Sequence, residues 1–250
     1  MTRTLTCVVS ARLKSARIKE KMVRPFAGST LLEICLRTLL ACPSLTGRVW
    51  VSAREYEIVE IARQVGDVGI WIRPHASLAE PSDCRTVHSY VGGDTWQSGE
   101  WTSPIGNMED NDWFLHVNPC SPLLTPATIE RAIAVWRDGG YRSLMGVVRR
   151  ETFFFDHDGR MLNPFLGTEE QRATLETKLV GTVWEAGHAL YIWPRAEVIQ
   201  HNRFFPMTRD DPFLFPLPPE EALDIDEPFQ WERAEILYQN LRTIRGEDRT

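Results

Sequence analysis

Two stretches at opposite ends of the chain hold side chains suited to phosphate chemistry. Directly after the apolar run "TLTCVVSA" come Arg12, Lys14, Ser15, Arg17, Lys19, Lys21 and Arg24. Near the far end, "LDIDEP" carries Asp224 and Asp226 with one residue between them. A chain of formal net charge -6 has no general need to gather cations at one place. The cluster therefore points to a small anionic ligand, since a long polyanion would call for a basic balance over the whole surface. A loop leaving a strand can wrap phosphate oxygens with its amides as well as its cations. Two carboxylates that alternate along a strand face one way, roughly 7 Å apart. Such hard oxygen donors, completed by substrate phosphates, are what Mg²⁺ takes. Joined at one place, the two stretches would form a metal-assisted nucleotidyl-transfer site. Taken singly, each has a plainer account: an exposed basic loop, and a polar strand end whose acids cap the next helix.

A third stretch, "NPCSPLLTP", contains Pro119 and Pro122, which stiffen a turn, and Ser121, whose hydroxyl could meet a nucleobase edge. Turns of this composition are common. Neither the G-x-G-x-x-G nor the Walker pattern occurs, which disfavours a dinucleotide or P-loop site. The Gly-x-Ser-x-Gly elbow of hydrolases is absent as well.

The elements that must position these residues follow from periodicity. "TLTCVVSA" is a buried first strand. "STLLEICLRTLLACPSL" is a helix capped by Ser29 or Thr30 and ended by Pro43. "RVWVSA" is a second strand, "EYEIVEIARQVG" a helix closed by Gly66, and "VGIWIRP" a third strand. A further helix is expected through "CRTVHSYVGG", then an irregular loop over 94–112. Next come a strand "WFLHVNP", a helix starting at Pro126 and a strand "YRSLMGVVRR". "ETFFFDHDGRMLNP" is a hairpin turned at Asp158 and Gly159. A strand and short helix in "HALYIWPRAEVIQ", a short strand at "LDID" and a terminal helix complete the chain. Alternating strands and helices with short links predict an α/β fold: a three-layer, doubly wound, mostly parallel sheet.

At 250 residues, 43% hydrophobic and 25% charged, the chain suits one large α/β domain over 1–250, with residues 151–182 as an inserted hairpin lobe. Five cysteines, Cys7, Cys35, Cys42, Cys84 and Cys120, show no C-x-x-C pair and suggest neither a disulfide framework nor a zinc site. No apolar run reaches the roughly 20 residues of a membrane span, and no signal-peptide pattern opens the chain. A cytoplasmic location is expected. His116 sits in a strand and is expected to be a core histidine. Trp96, Trp101 and Trp113 flank the irregular loop, where core packing is the plainer expectation.

In this order the motifs resemble the acylneuraminate cytidylyltransferase family, the CMP-sialic acid and related CMP-sugar synthetases. "SARLKSARIKEKMVRPFAGSTLLE" resembles that family's A-R-x-x-S-x-x-x-P-x-K-N opening, and "NPCSPLLT" its Q-P-T-S-P-L-R-T turn. "ALYIW" is similar to its G-A-I-Y-I strand, and "LDIDEPFQWERAEIL" to its I-D-I-D-T-P-x-D ending. The resemblance implies a Rossmann-like fold and transfer of CMP from CTP to a hydroxyl of an acidic sugar, with release of pyrophosphate. It implies Arg12 and Lys21 as catalytic residues, and Arg12, Leu13, Ser15, Arg17, Lys21, Arg73 and Ser121 along the nucleotide. Asn118, Cys120 and Gly187 would face the acceptor, and Asp224 and Asp226 would hold Mg²⁺. A homodimer through the 151–182 hairpin is implied too.

The chain departs from the family's pattern where Met22 replaces an Asn, Lys19 a Pro, Ala53-Arg54 a Thr-Asp, and Gly187-His188 an Asn-Gly. Asn118 and Cys120 stand for the usual Gln and Thr. Phosphate- and metal-handling motifs match best and acceptor-facing positions least, which points to an acceptor other than an ordinary sialic acid. A non-sugar acceptor such as a phosphonate, and a catalytically idle nucleotide-binding homologue, are the alternatives.

Overall fold

The computed structural model describes residues 4–53, 55–72, 96–97, 100–101, 113–140, 142–172, 174, 176–201 and 203–245. In chain order its strands are β1 (Leu5–Ser10), β2 (Pro25–Phe26), β3 (Ser29–Thr30), β4 (Val49–Ala53), β5 (Gly69–Ile72), β6 (Trp96–Gln97), β7 (Glu100–Trp101), β8 (Trp113–Val117), β9 (Leu144–Arg150), β10 (Val183–Pro194) and β11 (Phe213–Pro216). The helices are α1 (Leu31–Leu40), α2 (Tyr56–Val65), α3 (Pro126–Asp138), α4 (Glu169–Arg172), α5 (Arg195–His201) and α6 (Pro228–Arg245).

Among the described residues, seven strands form one sheet in the order β11-β9-β10-β8-β1-β4-β5. β1 pairs in parallel with β4 and β8, β4 with β5, and β11 with β9, while β10 runs antiparallel between β8 and β9. β1 is central and its residues Leu5 to Val9 are all buried, which is why it reads as an unbroken apolar run. The expected α/β architecture with a mostly parallel sheet is present.

Local chemistry explains the helix ends. Thr30 caps α1 by accepting from the Glu33 amide, and Thr125 caps α3 by accepting from Thr128, with Pro126 at the first position. Gly66 closes α2 at φ +138°, a conformation open to glycine.

Three expectations need correction. The "LDID" segment is extended but is not a strand. Its backbone bonds go to a turn and a side chain, not to a ladder: the Ile225 amide donates to Cys120 O at 2.9 Å, and Ile225 O accepts from Lys21 Nζ at 2.7 Å. β11 was not anticipated; its four residues "FLFP" add an edge strand beside β9. Within the stretch expected to be a loop, β6 and β7 pair antiparallel. The helix expected at "CRTVHSYVGG" lies outside the described residues.

The main core fills the space between the sheet and helices α1, α2 and α3. A separate cluster of Ile18, Phe26, Leu31, Ile34, Ile225, Trp231 and Ala234 seats the basic loop against α1 and α6. The connection from β9 to β10, residues 151–182, contains the expected turn. Phe155 bridges Met161, Asp156 N–H donates to Arg160 O at 2.9 Å, and Gly159 has φ +79°. No helix among the described residues is long and apolar enough to cross a membrane.

Candidate functional site

The basic loop leaves the carboxyl end of β1, where ligands bind in open α/β sheets. Its course is set by apolar anchors within it. Ile18 and Phe26 are buried, and Phe26 meets Trp231 of α6 edge to face at 5.2 Å. The Ala27 amide donates to Glu235 Oε1 at 2.6 Å, and Arg24 lies over the Trp231 ring at 5.1 Å. These contacts draw the loop onto the end of the chain that carries the aspartates.

Ile225 is wholly buried in the same cluster. In an extended segment alternate residues face opposite ways, so burying Ile225 turns Asp224 and Asp226 outward together. The amides of Asp226 and Glu227 both donate to Gln230 Oε1, at 2.7 and 2.6 Å, which fixes the segment on the first turn of α6.

The two charged stretches meet here. Lys21, only 8% exposed, donates to Ile225 O and stands 3.1 Å from Asp226 Oδ1. Arg17 Nη2 lies 2.8 Å from the same Asp226 oxygen, and its Nη1 lies 3.5 Å from Glu227. Burial acts to lower the Lys21 pKa, but the neighbouring Cys120 and Asp226 outweigh it and hold the ammonium above its ordinary range. Lys21 is a fixed positive charge.

Asp224 behaves differently. Burial first, and the nearby Asp226 second, push its carboxyl above the ordinary range, against the opposing pull of Lys21, His188 and Asn118. Crowding of like charge of this kind is relieved by a divalent cation. Among the described residues no group of three or more His, Cys, Asp or Glu could hold a metal. An ion bound by Asp224 and Asp226 would therefore complete its shell with substrate and water oxygens, the usual pattern for Mg²⁺.

The "NPCSP" turn packs beneath this pair. Asn118 Nδ2 donates to Asp224 Oδ1 at 3.3 Å, while its Oδ1 accepts from the Cys120 amide at 3.0 Å. Cys120 is buried with its thiol within hydrogen-bonding reach of Lys21, and burial pushes its pKa up to about 11. Ser121 is buried too, and its Oγ has no partner among the described residues.

The remaining expected residues fall as follows. Arg12 is exposed and makes no ion pair among the described residues; Ser15 is half-buried on the same loop. The Leu13 amide is engaged, donating to Glu55 Oε1 at 3.0 Å. Arg73 lies outside the described residues. Gly187 is buried, and a Cβ there would come 2.9 Å from Leu217 Cδ1 and 3.3 Å from Ala222 Cβ. Its neighbour His188 is the side chain that projects, bonded through Nδ1 to the Tyr191 hydroxyl. Met22 is buried in the main core.

Sequence reasoning did not single out Glu55, Tyr191, or His188 as a residue able to act. Glu55 stands at the N-cap of α2, a position legible in the sequence, but its bond to Leu13 joins residues 42 apart. His116, expected to be a core histidine, is 3% exposed, and burial lowers its pKa to about 4. Cys7, Cys35, Cys42 and Cys120 are all free and buried; Cys84 lies outside the described residues.

Residues 6–88 match the cytidylyltransferase family model. That span contains the basic loop but neither aspartate. No curated protein matches the chain in sequence. Among solved structures it is similar to a CMP:2-keto-3-deoxy-manno-octonic acid synthetase complexed with CTP. That likeness has a TM-score of 0.58 at 13% identity and covers 95% of this chain and 99% of the other. It is similar to the 4-diphosphocytidyl-2C-methyl-D-erythritol synthase of Anaerococcus prevotii, with TM-score 0.57, 10% identity and coverage of 95% and 99%. A cytidylyltransferase from Leptospira borgpetersenii serovar Hardjo-bovis superposes with TM-score 0.54 at 13% identity, over 98% of this chain and 96% of that one. At these identities the likeness establishes a shared fold.

Proposed function

We propose that the chain is a CTP-dependent nucleotidyltransferase that moves CMP onto a hydroxyl of an acidic sugar, of the nonulosonic-acid kind, and releases pyrophosphate. The observation that carries this reading is the meeting of Lys21 and Arg17 with Asp226 at the carboxyl end of β1. The family-model match over 6–88 supports the use of CTP. The nonulosonic kind rests on the motif resemblance alone, and an acidic sugar more broadly is supported by likeness to a synthetase named for an eight-carbon 2-keto sugar acid.

Phosphoryl transfer needs charge neutralisation and alignment more than covalent help. Lys21 is held by Ile225 O, so its ammonium can bear on departing pyrophosphate without reorganising. Arg17 and Arg12 are exposed and able to close on the triphosphate. Mg²⁺, held by Asp224 and Asp226 with phosphate oxygens, would neutralise charge at the reacting phosphate. Ser121 Oγ, buried and unpartnered among the described residues, is a free hydrogen-bonding group for the nucleotide. Asn118 and Cys120 position Asp224 and Lys21 and so shape the acceptor side indirectly.

The 151–182 segment presents exposed Phe155, Leu162 and Leu166, with Trp184 beside it. An apolar patch of this kind supports a homodimer through this lobe. A monomeric mass in dilute solution would refute it.

A second reading has its own observation. Met22 is buried and Asp226 is already engaged by two cations, as in a nucleotide-binding homologue without turnover. The test is pyrophosphate release from CTP with Mg²⁺ across a panel of acidic sugars and phosphonates. Release dependent on an acidic sugar supports the proposal. Release with a phosphonate alone replaces the acceptor, and CTP binding without turnover establishes the idle homologue.

A further inference from the structure

We propose that His188 is the base that takes the proton from the acceptor hydroxyl, an inference resting on the transfer reading above. Its placement is built by an irregularity in β10. Against β8 the strand pairs without a break from Leu190 to Pro194. Against β9 the register jumps from Ala186–Val147 to Tyr191–Met145, so Gly187, His188, Ala189 and Leu190 stand opposite Gly146 alone. Two glycines make room: a Cβ on Gly146 would lie 3.2 Å from Leu190 O, and one on Gly187 would lie 3.3 Å from Gly146 O. The bulge pushes His188 outward at φ +50°. A left-handed conformation is costly for a non-glycine residue, and such strain collects where function demands a particular side chain.

The ring is also aimed. Nδ1 is bonded to the Tyr191 hydroxyl. The Tyr191 ring is itself held, stacked on His116 with centroids 6.2 Å apart and tilted against Phe205 at 5.8 Å. That leaves Nε2 as the open nitrogen, with no partner among the described residues. The bulge lies at the site, because the next residue, Ala189, offers its carbonyl to the Asn118 amide at 2.9 Å. Asn118 is the residue bonded to Asp224, so the bulge and the carboxylate share one neighbour. The competing bases are committed. His116 is buried, Asp226 and Glu227 are paired with cations, and Cys120 is held as a thiol.

The step balances as follows. The acceptor oxygen bonds to the α-phosphorus while the bond from that phosphorus to the bridging oxygen breaks, its electron pair leaving with pyrophosphate. The hydroxyl proton passes to Nε2, Nδ1–H donates to Tyr191 Oη, and the imidazolium later yields the proton to water. Acid–base assistance of this kind is worth about 10²–10⁴-fold.

The test compares the parent chain with His188→Gly, which suits the left-handed backbone and leaves space for a free imidazole. Tyr191→Phe keeps the ring contacts and loses only the hydroxyl. The probes are CTP, Mg²⁺ and either 2-keto-3-deoxy-manno-octonic acid or N-acetylneuraminic acid. His188→Gly should lower kcat about 10²–10³-fold, hold the Kd for CTP within about twofold and melt no lower than the parent. Added imidazole should restore about tenfold of the loss, and Tyr191→Phe should lower kcat with KM unchanged. A His188→Gly chain turning over at the parent rate, or one that imidazole cannot rescue, overturns this inference alone. A parent that releases no pyrophosphate with these two acids or with any other acceptor of the panel above overturns the transfer reading and this inference with it.

Discussion

The Lys21 ammonium stands 3.1 Å from the Asp226 carboxylate although 205 positions of sequence separate them. The contact joins the loop after the first strand to the segment before the last helix, and it is nearly closed to water on the lysine side. Lys21→Met leaves the Ile225 carbonyl without its buried donor, at a cost of about 1–3 kcal/mol. The same change should reduce kcat about 10²–10³-fold by removing a fixed charge from the leaving group. Arg17→Ala, by contrast, breaks a half-exposed pair and should shift stability by less than about 1 kcal/mol while weakening CTP binding. Urea unfolding alongside CTP titration separates the two residues, and equal effects on stability would contradict the assignment.

Asp224→Asn should raise thermal stability at neutral pH. The folded-state pKa of Asp224 is raised by burial and by Asp226, so its ionised form is a penalty above that pKa, relieved as pH falls through it. Asparagine removes the charge and keeps an oxygen for Asn118. A Tm increase of about 2–4 °C, the equivalent of about 1 kcal/mol in a domain of this size, should accompany loss of turnover. A lower Tm would show that the carboxylate is a structural asset.

His116 gives the opposite pH dependence. Burial lowers its pKa from 6.5 to about 4, so between those values the unfolded chain binds a proton that the folded chain excludes. Stability rises with pH wherever the unfolded state holds more protons. The contribution of His116 is therefore full above about 6.5 and disappears as pH falls towards about 4, a swing of roughly 3 kcal/mol. The urea midpoint measured near pH 7 and near pH 4.5 should fall less in His116→Gln than in the parent.

Gly187→Ala is a packing test of the bulge. The added methyl meets Leu217 Cδ1 at 2.9 Å, and overpacking of this kind costs about 1–3 kcal/mol. A calorimetric Tm should fall while the KM for CTP holds. An unchanged Tm with altered acceptor KM would return Gly187 to the acceptor surface.

What the sequence disclosed about the fold was whatever local pattern encodes. The Thr30 cap, the Gly66 stop, Pro126 at a helix start and the apolar runs of β1 and β8 all carry their own signal. The residues of the candidate site were legible as types, six cations and two carboxylates, but their convergence was an inference about topology. Features set by distant partners stayed hidden. The bulge depends on Gly146 and Leu217 as much as on Gly187, and nothing around His188 announces a left-handed backbone. The "LDID" segment has strand spacing yet spends its hydrogen bonds on Cys120 and Lys21. β11 was too short to rise above its proline-rich surroundings.

The separation of the two charged stretches also orders events during translation. A nascent chain halted anywhere short of Asp226 displays Arg17 and Lys21 without their counter-ions, and Ile18 and Phe26 without the Trp231 cover. In that interval the basic loop is open to proteases that cut after lysine and arginine. Slower trypsin cleavage after Lys21, the cation of this loop that the folded chain buries, thus reports the moment at which the final helix docks.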